Sequence, residues 1–149
     1  MYTNLLVPTD GTKLSGKAVA HALGLALALK AKIAVMYASP TFAPEALTDG
    51  GGPLIGHRSK AQFLAAATKE AEGILQAVAD KAAAAKVECK TVHVFSDAPW
   101  EAVIATAKKQ KCDAIVMASH GRSGVAALLL GSETQKVLTH SKIPVVVVR

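Results

Sequence analysis

The most informative segment of the chain runs from Cys112 to Gln135 and has the sequence CDAIVMASHGRSGVAALLLGSETQ. Its apolar run Ala114–Ala118 is short enough to be a buried strand. Gly121 and Gly131 bracket the loop that follows, and the spacing Ser132-x-x-Gln135 is a capping box, which predicts a helix starting there. A strand, a glycine loop and a helix N-terminus together suit an anion, because backbone N–H groups and the helix dipole favour negative charge. A glycine-rich connection that caps a helix and binds nothing fits the same residues.

Length and composition indicate one globular α/β domain over residues 1–149. Hydrophobic residues make up 51% and charged residues 19% of the chain, which is typical of a folded rather than a disordered protein. No apolar run approaches the ~20 residues that a membrane span needs. The first residues show neither the basic nor the long apolar region of a signal peptide. We therefore expect a cytoplasmic location and no membrane partner.

Cysteine usage and net charge restrict the function classes further. Cys89 and Cys112 are single cysteines, and a metal site would need tighter cysteine and histidine clusters, so we expect ordinary thiols in a reducing compartment. The net charge of +6 allows an acidic partner or nucleic acid. However, lysines and arginines are scattered and aromatic residues are only 4%, whereas single-strand binding pairs a basic groove with aromatic platforms. Nucleic acid is therefore not an expected partner.

Strand and helix patterns alternate along the whole chain. Strands are predicted at residues 4–8, 33–38, 87–95, 114–118 and 143–148. Helices are predicted at about 14–30, from the capping box Ser59-x-x-Gln62 onward, from an N-cap at Asp97, and from Ser132 to about His140. Strands joined by helices are parallel and covered on both faces. The prediction is a three-layer, Rossmann-like sandwich with a five-stranded parallel sheet of order 3-2-1-4-5.

One segment interrupts this alternation. Residues 39–57 contain three prolines and the run Gly50-Gly51-Gly52, and they exceed the usual length of an unstructured connection. We predict a mobile loop here.

In a sheet of this order, ligands bind where the winding direction reverses, at the carboxyl ends of the strands. That point lies between Thr9-Asp10-Gly11 after the first strand and Ala118–Gly121 after the fourth. Two glycine-containing turns would thus converge on a phosphate-bearing ligand. A carboxylate repels phosphates, so Asp10 would bind ribose hydroxyls or hold a bridging Mg²⁺. His120 could contact a phosphate or be a structural turn residue.

The residues that carry these features resemble the small, single-domain universal stress proteins over essentially the whole chain. The resemblance rests on residues 6–11, 97–99, 113–122, 128–132 and 143–147. The nucleotide-binding branch of that family has Gly, two residues, Gly, nine residues, Gly, then Ser or Thr. Here the second and third glycines fall on Gly121 and Gly131, but Ala118 replaces the first. A methyl group there narrows the room for the backbone to approach a ligand.

The resemblance implies that the chain binds ATP or AMP. The adenine would lie near Ala38 and the first strand end, the ribose at Asp10 and the Met117-Ala118 turn, and the phosphates over the glycine loop and the next helix. Glu133 could contribute only its backbone N–H. With His120, the candidate binding residues are Pro8, Thr9, Asp10, Ala38, Met117, Ala118, His120, Gly121, Arg122, Gly131, Ser132, Glu133 and Thr134.

The resemblance also implies a dimer, and the last strand supports one independently. Ile143–Val148 is apolar throughout and falls at a sheet edge, which proteins cover. Pairing across a two-fold axis would cover it, and so would a helix or loop.

Three functions follow from these features. The first is a cytoplasmic stress-response dimer that is regulated by ATP or AMP, with no catalysis beyond slow ATP hydrolysis. The second is a phosphoryl-transfer enzyme that uses Mg²⁺ and Arg122. The third is a partner-binding dimer that holds no nucleotide, with Ala118 as the sign of a lost site.

Overall fold

Strands and helices alternate in the computed structural model, which describes residues 1–43, 59–121 and 130–149. The elements are β1 (Asn4–Pro8), α1 (Lys13–Leu29), β2 (Lys32–Ser39), α2 (Lys60–Ala84), β3 (Cys89–Phe95), α3 (Pro99–Lys109), β4 (Ala114–Ala118), α4 (Ser132–His140) and β5 (Val145–Val148). Among these described residues, no helix is both long and apolar enough to cross a membrane.

The five strands form one sheet in the order β3-β2-β1-β4-β5, and every neighbouring pair is parallel. The predicted fold class and strand order are therefore confirmed. The chain winds from β1 outward to β3 and then returns to the other side of β1. The reversal of winding falls between β1 and β4.

Two apolar layers hold the helices on opposite faces of the sheet, because successive side chains of a strand point to opposite faces. Leu5 and Val7 of β1 pack with α1 and α2. Leu6, between them, packs with α3 and α4. All three side chains are fully buried. Since β1 and β4 are buried on both faces, their ends are held rigidly at the centre of the carboxyl edge.

The start of α2 confirms the capping-box prediction. The Ser59 amide donates to Gln62 Oε1 at 2.9 Å, and the Gln62 amide donates back to Ser59 Oγ at 3.2 Å. Both partners lie within one helical turn, so the local sequence is sufficient to specify the contact.

The predicted caps of α3 and α4 are wrong. Ala98, not Asp97, is the N-cap of α3, and its own side chain makes no capping hydrogen bond. The Asp97 carboxylate instead accepts hydrogen bonds from the Thr41 amide at 2.9 Å and from the Thr41 hydroxyl. In α4, Gly131 is the N-cap and Ser132 the first helical residue, again with no side-chain cap within the described part of the chain.

Strand limits differ slightly from the prediction. The third and fifth strands begin at Cys89 and Val145, two residues later than expected. Ser39, placed in the loop by the sequence, is the last residue of β2. Residues 44–57 of that predicted loop lie outside the described residues.

Candidate functional site

The end of β1 turns directly into α1 through a network of short polar side chains. The Thr9 amide donates to Met36 O at 2.9 Å, so the turn begins on the sheet itself. Gly11 has a φ of +76°, a left-handed conformation that glycine adopts without strain. Thr12 caps α1 by accepting from the Ser15 amide. The turn is therefore fixed by its own sequence.

Asp10 lies in this turn and helps to shape it. Its Oδ1 accepts from the Thr12 amide at 2.9 Å and from Thr12 Oγ1 at 2.6 Å. Its Oδ2 faces the other loop, because a β-carbon built on Gly121 would lie 3.2 Å from it. One oxygen thus organises the start of α1 while the other approaches the end of β4.

The end of β4 is bound to the start of α4. The Gly131 amide donates to Ser119 O at 2.8 Å, and Thr134 Oγ1 donates to Ala118 O at 3.0 Å. The Thr134 side chain is buried. These contacts hold the α4 N-terminus beside the strand end, although residues 122–129 of the intervening loop lie outside the described residues.

Glycine is needed at position 131 for close approach rather than for an unusual backbone conformation. Its φ is −61°, which any residue adopts. A β-carbon there would lie 3.2 Å from both Ser119 O and His120 Cα. These are backbone atoms that cannot rotate away. Any larger residue must move α4 away from β4.

The two turns meet at one edge of the sheet. Asp10 lies against Gly121, and Gly131 lies against Ser119 and His120. The predicted convergence of the β1 and β4 ends is therefore present in the geometry. The first-turn amides of α4, at Ser132, Glu133 and Thr134, lie at the same edge and precede any possible intrahelical acceptor.

His120 places a buried ring nitrogen at this edge. Its Nδ1 lies 3.0 Å from Ser119 Oγ. Its Nε2 is inaccessible to solvent and has no hydrogen-bond partner among the residues the structure describes. A buried polar atom without a partner is unfavourable, so this nitrogen is suited to a hydrogen bond from a bound molecule.

The remaining predicted residues occupy the same edge with different side-chain directions. Pro8 and Ala38 are half-buried at or beside the ends of their strands. Met117 packs its side chain into the α3/α4 layer, so only its backbone could contact a ligand. Ala118 is buried. The predicted contact of Arg122 lies outside the described residues.

The Glu133 side chain points towards α3 rather than towards the crevice. Its Oε2 accepts from the Trp100 amide at 2.9 Å, and its Oε1 pairs with Lys136 Nζ at 3.1 Å. Glu133 therefore satisfies a first-turn amide of α3, the helix whose local cap is missing. Sequence reasoning missed this contact, because the partners are 33 positions apart.

The described residues offer little for a metal ion on their own. They contain no group of three or more histidine, cysteine, aspartate or glutamate side chains that could hold one. Mg²⁺ takes six oxygen ligands and commonly receives several from phosphates and water. A magnesium ion therefore fits Asp10 only if a nucleotide supplies further ligands.

A second polar pair, between β2 and β3, was not predicted from the sequence. Ser39 Oγ lies 2.8 Å from His93 Nε2, and Ser39 is buried. Burial lowers the pKa of His93, and the charge of Glu72 partly opposes that shift. In the register, His93 pairs with Tyr37, two residues before Ser39, so the contact is diagonal across the two strands and periodicity alone does not identify it.

His93 predicts a pH-dependent stability. A histidine whose pKa is lowered on folding stabilises the fold fully above its unfolded pKa of about 6.5 and loses that contribution as the pH falls through and below it. We expect His93→Gln to reduce the fall in unfolding free energy between about pH 7.5 and about pH 5.5 in urea titrations. The control is His21→Gln, at an exposed position on α1. An unchanged pH profile in His93→Gln would contradict the prediction.

The fold and this edge together define a doubly wound α/β protein whose central strands β1 and β4 end side by side. Residues 1–149 match the sequence model of the universal stress protein family. The chain belongs to the universal stress protein family.

Individual relatives agree with this assignment. The universal stress protein MJ0531 of Methanocaldococcus jannaschii is 29% identical over all of this chain and 83% of its own length. The structure of protein MJ0577 from the same organism superposes with a TM-score of 0.82 at 22% identity, covering 99% of this chain and 96% of that one. A universal stress protein in complex with cAMP has a TM-score of 0.73 at 27% identity, covering 99% and 97%.

Proposed function

We propose that this chain binds an adenine nucleotide, ATP or AMP, at the carboxyl ends of β1 and β4 and acts as a dimeric nucleotide-dependent regulator in the cytoplasm. One observation carries the proposal: Asp10, in the turn after β1, and Gly131, at the start of α4, both lie against the segment 119–121 that follows β4. A structural relative in complex with cAMP supports an adenine nucleotide as the class of ligand.

The phosphates and the ribose of the nucleotide both have suitable groups at this edge. The first-turn amides of α4 and the helix dipole favour phosphate. The Asp10 carboxylate, which lies against Gly121, would accept a hydrogen bond from a ribose hydroxyl. His120 Nε2, which is buried, would gain a hydrogen-bond partner from the bound molecule.

A phosphoryl-transfer activity is less well supported. Such a reaction needs a group that positions the attacking water or hydroxyl. The candidates are Asp10 and His120, and one oxygen of Asp10 already holds the turn. We therefore propose binding without catalysis beyond slow ATP hydrolysis. Turnover that is lost in Asp10→Asn, and that follows the protein across column fractions, would contradict this.

Identification of the bound nucleotide tests the proposal most simply. The purified protein is denatured, and released small molecules are separated by chromatography and identified by mass. We expect ATP or AMP in the wild type and a reduced amount in Gly131→Ala. Absence of any adenine nucleotide, together with melting curves that Mg·ATP and AMP at millimolar concentration leave unchanged, would favour the partner-binding dimer instead.

A further inference from the structure

The amino edge of the sheet, opposite the candidate crevice, is rich in lysine. Because each helix returns against parallel strands, the C-termini of α1 to α4 all meet at this edge. Each amino-edge segment begins at the second-last residue of a helix and ends at the first residue of the next strand. Their exposed lysines are Lys30, Lys32, Lys86, Lys108, Lys109, Lys111 and Lys142.

This positive charge exceeds what the fold itself neutralises. Each helix C-terminus is equivalent to roughly half a negative charge, so the four helices offset about two lysines. The same segments hold two carboxylates, Glu88 and Asp113, and Asp113 already accepts hydrogen bonds from Thr3 and Asn4. Within the described ranges, none of the seven lysines forms an ion pair.

Three of the lysines surround a groove of about 450 Å³. Lys30, Lys32 and Lys86 line it, and Glu88 is the one carboxylate in its lining. Its apolar lining includes Val87, which is buried, and Leu27, whose side chain is 53% exposed. The groove therefore combines excess positive charge with an exposed apolar side chain.

Two of the groove lysines lie at left-handed backbone positions. Lys30 and Lys86 have φ values of 55° and 57°, in the left-handed region where glycine or asparagine ends a helix at lowest cost. A lysine at such a position is strained relative to glycine. Sites that keep strain are candidates for function.

We propose that this groove binds an acidic segment of a partner protein that inserts an apolar side chain against Leu27 and Val87. The positive charge of the groove favours carboxylates. Each lysine acts as a point charge, whereas arginine would offer phosphate a bidentate pair of hydrogen bonds. Among the residues that the structure describes, no aromatic side chain lines the groove, so these residues offer no stacking surface of the kind that single-stranded nucleic acid uses. Its concave shape suits a chain segment better than a flat lipid surface.

The experiment measures fluorescence anisotropy of a labelled, aspartate-rich peptide with a central leucine, titrated with the full chain. The test variant combines Lys30→Gly, Lys32→Gln and Lys86→Gly. Glycine suits the left-handed backbone, so the fold is retained and a melting curve verifies this. The control variant combines Lys17→Gln, Lys60→Gln and Lys69→Gln, which removes the same charge from exposed positions outside the groove.

We expect saturable binding by the wild type, about tenfold weaker binding by the test variant, and a change of less than about twofold in the control, since exposed charge pairs each contribute modestly. Replacement of the peptide leucine by serine should also weaken binding. Three results would overturn the proposal: no saturable binding, equal losses in both triple variants, or tighter binding of duplex DNA or phosphatidylglycerol vesicles through the same lysines.

Discussion

Gly131→Ala is expected to abolish most of the stabilisation that Mg·ATP confers on the wild type. A ligand at ~100 times its dissociation constant adds about 2.7 kcal/mol to the free energy of unfolding, which corresponds to a rise in Tm of roughly 5–10 °C for a chain of this size. The β-carbon of alanine would lie 3.2 Å from Ser119 O and His120 Cα. The resulting displacement of α4 moves its first-turn amides away from the phosphates.

The measurement is the difference in Tm with and without Mg·ATP, so any loss of stability in the variant itself is separated from the loss of binding. The strain alone should lower the stability of the unliganded variant by about 1–3 kcal/mol. Gly24→Ala is the matched control, because a β-carbon at Gly24 meets nothing within 4 Å. That variant should gain about 0.5–1 kcal/mol from helix propensity and keep the full nucleotide shift. Equal shifts in both variants would contradict the proposed phosphate position.

Val147→Pro is expected to convert the proposed dimer into a monomer. The carbonyl oxygens of Pro144 and Val148 accept hydrogen bonds from the amides of Ile115, in β4, and Ser119, directly after it. Because backbone groups alternate in direction along a strand, the N–H and C=O groups of Val145 and Val147 point away from β4. β5 is the last strand in the sheet order. A second copy pairing there would need the Val147 amide, which proline lacks.

The control for this substitution keeps the amide. Val147→Thr preserves the outward N–H and the β-branched shape, so it should leave the dimer intact. Both variants are measured by sedimentation velocity, with circular dichroism to verify the fold. Proline at the edge leaves the bonds to β4 in place, so the monomer should remain folded. A wild-type monomer, or a Val147→Pro dimer, would contradict pairing through β5.

Much of the architecture follows from sequence because it depends on periodic patterns. The alternation of strands and helices predicts the parallel sheet, and the winding argument predicts the order that the structure confirms. The capping box at Ser59 was predictable since its partners lie within one turn. At Ser59 the local rule therefore holds.

The same rules failed where a side chain forms its hydrogen bond with a residue that is distant in sequence. Asp97 has the chemistry of an N-cap, yet it binds Thr41, 56 positions away. The amide of Trp100 is satisfied by Glu133 from another helix. Ser132 was predicted as a cap, but Gly131 takes that position because α4 packs so closely against Ser119. These contacts depend on tertiary packing, which no local sequence pattern specifies.

The proposed function requires a nucleotide to lie between Asp10 and the first turn of α4. Backbone amide NMR during an ATP titration tests this directly. We expect saturable shifts at Gly11, Gly121 and Ser132–Thr134, while the amides of Lys30 and Lys86 at the amino edge stay unchanged. Shifts confined to the amino edge, or no shifts at millimolar ATP, would contradict it.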